Sequence, residues 1–175
     1  MTPPFLSDKP NVGKNTQLIS PGPNFGSEPY LITIGDNTTV SFDVVFVTHD
    51  GGTRVLRNLA KTEKEKQTVI YGKINVGNNC FIGCRSVILP GVTIGDNSII
   101  GAGSVVTKDI PANTVAAGVP CKPICTIEEY KEKHKDDFLY MVRLPYEEKK
   151  DFLLRLYGDI TDEPDKDIDS TKQNG

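Results

Sequence analysis

The sequence predicts an all-β core, a parallel β-helix of triangular section, with one extruded loop and short C-terminal α-helices. Three observations carry that expectation. Ile or Val occupies positions 70, 76, 82, 88, 94, 100 and 106, seven consecutive places at a spacing of six, and Ile34, Val40 and Phe46 fall in the same phase upstream. Gly follows the apolar residue at Gly35, Gly77, Gly83, Gly95 and Gly101. Small or aliphatic residues fill the fifth place of the unit: Ile74, Cys80, Ser86, Val92, Ser98, Ser104 and Ile110. A period of six suits neither a helix, at 3.6, nor a plain amphipathic strand, at 2. It suits a short strand ended by a tight turn, with the aliphatic residue inward and Gly supplying backbone freedom for the corner. Three such sides make one coil of about 18 residues, and coils stack at the strand spacing of about 4.8 Å.

The repeat spans roughly residues 12–126, so the β-helix domain is expected over 1–125. It is broken once, by DGGTRVLRNLAKTEKEKQT (50–68), a polar stretch with no repeat. Because 24 residues separate Phe46 from Ile70, a multiple of six, the pattern resumes in phase at Ile70. The interruption therefore reads as a loop thrown out of the prism, and long insertions of this kind tend to carry function. After Pro123 the spacing turns helical, with Ile127, Tyr130, Phe138 and Met141 on one face of 126–144. Pro145 breaks that helix, and YEEKKDFLLRLYG (146–158) forms a second one stopped by Gly158. The acidic end, 159–175, lacks large apolar side chains and is expected to be disordered.

Composition narrows the function. Among 175 residues, a formal charge of −3 gives no basic face for nucleic acid. The opening MTPPFLSDKP has neither a basic start nor an apolar run, and no apolar stretch approaches the ~20 residues that span a bilayer. The expected compartment is the cytoplasm, with no membrane partner. Four cysteines form two C-x3-C pairs, Cys80/Cys84 and Cys121/Cys125. A reducing cytosol favours free thiols over zinc or a disulfide, and two histidines leave a metal site short of ligands, so no metal is expected.

The run IGCRSVILPGVTIGDNSIIGAGSVVTKDIPANTVAAGVPCKPI (82–124) closely resembles the hexapeptide-repeat acyltransferases. That resemblance implies a left-handed coil, an acyl-coenzyme A donor and a homotrimer with active sites between subunits. The motif VTHDGG resembles the branch of bacterial enzymes that O-acetylate sugars, including a surface polysaccharide or its precursor. Relatives in the same class acetylate aminosugars, serine or antibiotics, and acceptor identity resides in loops.

Sites follow from where the pattern breaks. His49 stands where a strand leaves the prism and the loop begins, the place where the family carries its catalytic histidine. Imidazole suits the role of general base because its pKa lies near neutral pH, and a sugar hydroxyl needs its proton removed as it attacks. The incoming hydroxyl attacks the thioester directly, so no Ser or Cys nucleophile is required. The other ring nitrogen needs an acceptor, and Asp43, Asp50 or a backbone carbonyl could serve. Glu28 and Tyr30, roughly one coil earlier, lie where the family binds its acceptor; the other reading is a capped corner turned by Pro29. By motif matching, Cys84, Ala102, Thr107, Lys108 and Lys122 occupy acetyl-CoA-contacting positions. His134 reads as a solvated helix residue, and Ser104 as structural, for it lacks a nucleophile elbow. A carbonic anhydrase of the same fold would need three histidines. A bare scaffold would need neither His49 nor the lysines.

Overall fold

In a computed structural model, residues 8–158 are described; the expected disorder of 159–175 lies outside them. The chain divides into two compact units, Met1–Lys135 and Asp136–Gly175.

The first unit is a parallel β-helix. Its first coil holds β1 (Asn11–Val12) and β2 (Gln17–Leu18), and its second β3 (Ile32–Ile34), β4 (Thr39–Val40) and β5 (Val45–Phe46). The loop follows, carrying α1 (Thr53–Leu59). The third coil holds β6 (Ile74–Val76), β7 (Phe81–Ile82) and β8 (Val87–Ile88), the fourth β9 (Thr93–Ile94), β10 (Ile99–Ile100) and β11 (Val105–Val106). Stacked coils give three parallel faces: β1-β3-β6-β9, β2-β4-β7-β10-β12 and β5-β8-β11. The second face continues from β12 (Thr114–Ala117) into β13 (Lys122–Thr126), which pairs antiparallel and closes that end.

The register confirms the repeat. Ile82 pairs with Ile100, 18 residues on, and Val87 with Val105. Val40 pairs with Ile82 at a separation of 42, so the loop adds 24 residues without shifting the phase.

Each side turns two residues inward. Ile34, Val40, Phe46, Val76, Ile82, Ile88, Ile94, Ile100 and Val106 are buried, as is the whole second inward set from Ile74 to Ile110. Ile70 departs from expectation, at 52% exposed. Although in phase, it belongs to the returning stem of the loop, where its carbonyl accepts from Asp50 N at 2.9 Å. The core resumes at Ile74. Such a narrow core has little room to relax around a void. Ile88→Ala, at the centre of the third face, is expected to cost about 2–5 kcal/mol. The measurement is a lower urea midpoint at unchanged slope.

Glycine also plays a different part from the one expected. Gly35, Gly77, Gly83, Gly95 and Gly101 do not supply the corner's left-handed residue. At each, a Cβ would come within 3.0 Å of the next coil, so they permit close stacking rather than a turn. The positive φ belongs two residues later, to Asn37, Asp43, Asn79, Arg85 and Asn97 (φ 52–58°) and to Gly91 and Gly103. Asn and Asp tolerate that conformation, which is why the turn is spelled DN or NN rather than with Gly alone. Asn side chains then ladder along the edge, Asn79 Nδ2 donating to Asn97 Oδ1 at 2.9 Å and Asn97 Nδ2 to Asn113 Oδ1 at 3.0 Å.

The helix expected over 126–144 is shorter. After β13 the chain forms α2 (Ile127–His134), started by a capping box in which Thr126 Oγ1 accepts from Glu129 N and Glu129 Oε2 from Thr126 N. One 3₁₀ turn at Lys135–Asp137 follows, and the helix ends there. Asp136 and Asp137 meet the negative end of the helix dipole, which disfavours carboxylates. Within the second unit, α3 (Tyr146–Leu156) runs to a left-handed Gly158, φ +77°, as expected. Among the described residues no helix is long and apolar enough to cross a membrane.

Candidate active site

The site lies where β5 leaves the third face. Val47 N still bonds to Ile88 O, and from Thr48 onward the chain pairs with the returning stem instead. Gly72 N donates to Thr48 O and Asp50 N to Ile70 O, both at 2.9 Å, while His49 and Tyr71 face each other as an antiparallel bridge. The loop is thereby tied at its base, and His49 sits in the tie. The imidazole remains 40% exposed, with the Tyr71 ring edge-on at a centroid distance of 6.0 Å.

One coil earlier, Asn24 to Phe25 runs alongside β5. Asn24 N bonds to Val44 O, Phe46 N to Asn24 O, and the Phe25 ring stacks on Phe46 at 5.3 Å. That docking carries Glu28 to His49. Glu28 Oε2 lies 2.9 Å from Nδ1 of the imidazole and accepts from Thr48 Oγ1 at 2.7 Å, while Oε1 accepts from Ser27 Oγ at 2.8 Å. The Thr48 hydroxyl, then the imidazole and the Ser27 hydroxyl, hold the Glu28 carboxyl below the ordinary glutamate range against the opposing effect of burial. An ionised carboxylate only accepts, so Nδ1 carries the hydrogen and the neutral imidazole has its lone pair on Nε2. The arrangement is a shielded carboxylate, 13% exposed, against a more accessible imidazole.

Asp50 and Asp43, the carboxylates considered for that role, lie elsewhere. Asp50 belongs to the turn that leads into α1, its Oδ1 accepting from Gly52 N and its carbonyl from Thr53 Oγ1. Asp43 occupies the preceding corner, 3.8 Å from Arg85. Glu28, expected beside the acceptor, faces the imidazole. Tyr30 is exposed two residues further on, in a 3₁₀ turn begun by Pro29. Thr48, Ser27 and Tyr71 were not singled out from sequence. Adjacency to His49 was the available signal for Thr48; Tyr71 offered none, because the loop hides its return point.

The five positions expected to contact acetyl-CoA divide between two edges of the third face. Phe46, Ile88 and Val106 are in register, so Thr107 and Lys108 follow β11 at the edge where His49 follows β5. Two coil spacings, about 10 Å, separate them. Cys84 and Ala102 stack at the opposite edge, where Gly103 N donates to Cys84 O at 2.8 Å. Lys122 pairs with Ala117, which packs over Gly101 near that second edge. All but the half-buried Cys84 are exposed.

The remaining candidates are structural. Ser104 is buried and donates to Gly101 O at 2.6 Å. His134 packs on Tyr130 within α2, at 4.7 Å. Cys80 donates to Gly95 O at 3.2 Å, and burial raises its thiol pKa, as it does that of Cys121. All four cysteines are free.

Comparison with known proteins adds three findings. Residues 73–108 match the family described as bacterial transferase hexapeptide (six repeats). The chain is 48% identical to protein CapG of Staphylococcus aureus over 147 residues, 83% of each chain. It is 47% identical over 108 residues to galactoside O-acetyltransferase of Escherichia coli, covering 61% of this chain and 49% of that enzyme. A hexapeptide-repeat acetyltransferase from Vibrio cholerae shares the fold, with a TM-score of 0.51 and 23% identity over 69% of this chain and 75% of that one.

Proposed function

The chain belongs to the bacterial hexapeptide-repeat acetyltransferases, and we propose that it moves an acetyl group from acetyl-CoA to a hydroxyl of a sugar, with His49 as general base. The observation that carries this reading is the Glu28–His49 pair, 2.9 Å apart at Nδ1, in an imidazole that remains 40% exposed and keeps Nε2 for taking a proton. Similarity to galactoside O-acetyltransferase supports a sugar hydroxyl as acceptor. The left-handed coil implied by the resemblance, and a cytoplasmic site of action where acetyl-CoA is made, belong to the same reading.

The chemistry balances without a covalent enzyme intermediate. As the acceptor oxygen attacks the thioester carbonyl, His49 Nε2 takes its proton, and Glu28 stabilises the imidazolium that forms. The tetrahedral oxyanion needs a donor near the loop, for which a backbone N–H suffices. The C–S bond then breaks, the imidazolium returns its proton to the CoA sulfur, and the products are an acetyl ester and free CoA thiol.

Two edges of one face carry the donor-contact residues, and only one carries His49. Packing such a prism edge-to-face in a homotrimer would bring Cys84, Ala102 and Lys122 of one chain toward His49, Thr107 and Lys108 of the next. Small, thin cores also gain from association. A monomer by light scattering that retained full activity would remove the shared site.

The test of function is release of CoA thiol from acetyl-CoA over a panel of sugars, aminosugars, serine and aminoglycosides. Turnover confined to sugars, with the product an ester that is lost in mild alkali, is the expected result. An alkali-stable amide on an aminosugar would move the acceptor to an amine, and no turnover or CoA binding at all would leave a β-helix scaffold.

A further inference from the structure

We propose that Thr48 is a positioning residue of the catalytic base: its hydroxyl locks Glu28 Oε2 in the place where that oxygen fixes the imidazole tautomer. This deepens the reading of His49 as the base and rests on it. Thr48 is 1% exposed, and its Oγ1 donates to Glu28 Oε2 at 2.7 Å, the same oxygen that meets His49 Nδ1.

The rest of the interior shows that this is not the ordinary use of a buried hydroxyl here. The other buried hydroxyls all donate to backbone carbonyls: Thr38 to Gly77, Ser86 to Gly101, Ser98 to Pro111, Ser104 to Gly101, Thr53 to Asp50 and Thr114 to Ala112. Among the described buried hydroxyls, Thr48 alone spends its one hydrogen on a carboxylate. Its own mobility is removed at two levels. The backbone is pinned by Gly72 N on Thr48 O, at 2.9 Å, and the β-branched side chain has a restricted χ1.

Glu28 needs such an anchor because it is not held by its own element. It precedes a 3₁₀ turn of three residues and comes from the coil before His49, so the carboxylate must be placed across a coil boundary. Ser27 binds the other oxygen, is exposed, and restrains Oε1 rather than the oxygen that matters. Without the Thr48 donor, Oε2 is free to rotate away from Nδ1, and the neutral imidazole then redistributes its hydrogen between the two nitrogens. Any molecule with the hydrogen on Nε2 cannot accept a proton there.

The experiment compares Thr48→Val, which keeps the shape and removes the donor, with Thr48→Ser, which keeps the donor and removes a methyl. Each is read by steady-state kinetics and by the ¹⁵N shifts of the imidazole ring in histidine-labelled protein, with His134→Gln used to assign the two histidines. Thr48→Val is expected to lower kcat about tenfold with both KM values within about twofold, and to shift the His49 nitrogens from the Nδ1–H pattern to an average of both tautomers. Thr48→Ser is expected to restore both. Unchanged ring shifts in Thr48→Val overturn the proposal, and so does an equal kcat loss in Thr48→Ser, which would point to packing. If His49→Ala were fully active, the reading of the base would fall, yet the ring shifts would still decide whether Thr48 sets the tautomer.

Discussion

Replacing His49 by alanine is expected to lower kcat by about 10² to 10⁴ at neutral pH while leaving KM for acetyl-CoA within about twofold. The size follows from what the imidazole does. An alcohol is a poor nucleophile at neutral pH, and His49 is the base we propose, with Nδ1 committed to Glu28 Oε2. Removing the ring leaves a carboxylate 13% exposed, held by Thr48 and Ser27 and set back by the length of an imidazole, so it cannot take over. KM for the donor is expected to survive because the positions proposed to contact it do not include the imidazole, and those on the same chain's edge, Thr107 and Lys108, lie about 10 Å along it. Steady-state assay with the acceptor found in the panel, together with the urea midpoint, separates this loss from unfolding. Near-normal turnover in His49→Ala would return the role of base to the carboxylates.

The β-helix was legible because it is written locally. Each side must turn two residues inward, so the period of six survives in every coil, and burial follows it from Ile32 to Ile110 wherever the chain is on the prism. Exceptions arise where position along the chain and position in space part company. Ile70 is in phase but lies on the stem of the loop, and period alone cannot distinguish a residue that completes a coil from one that pairs with Thr48–Asp50. The corner glycines were legible as glycines but for the wrong reason. Their lack of a Cβ matters to the coil stacked above, and a linear sequence does not display that neighbour. His49 could be found as a break in the pattern. Its partner could not be chosen, because Asp43 and Asp50 are near in sequence whereas Glu28 is near through the stacking of one coil on another. The antiparallel closure by β13 was likewise hidden, since Lys122–Thr126 has no alternation to announce it.

Glu28→Gln is the second large effect, and it has a signature in pH as well as in rate. In the native protein the Glu28 carboxyl is held below the ordinary glutamate value of about 4.3, first by the Thr48 hydroxyl and then by the imidazole. A carboxyl whose folded pKa lies below its unfolded one contributes stability that is fully present above the unfolded value and is lost as the pH falls through the folded one. Glutamine imitates the protonated form at every pH. The stability gap between native protein and Glu28→Gln is therefore expected to be constant above about pH 5 and to close as the pH falls below the ordinary glutamate range. Urea unfolding of both proteins across that range measures it. A gap that widened on acidification would mean that Glu28 is raised, not lowered, and that burial outweighs its three hydrogen bonds. The rate effect has a separate cause. The amide has no charge to stabilise the imidazolium, and its NH₂ can donate to Nδ1, which would place the ring hydrogen on Nε2, where the proton must be received. A fall in kcat of about 10- to 10²-fold at neutral pH is expected, smaller than for His49→Ala because the base itself remains. The two measurements bear on different states of the molecule: stability reports the resting hydrogen bonds to the carboxylate, and kcat reports the imidazolium that the proposed mechanism forms during acyl transfer. If stability followed the expected pH course while kcat stayed unchanged, Glu28 would hold the two coils together without serving the base, and the geometry at Nδ1 would be structural.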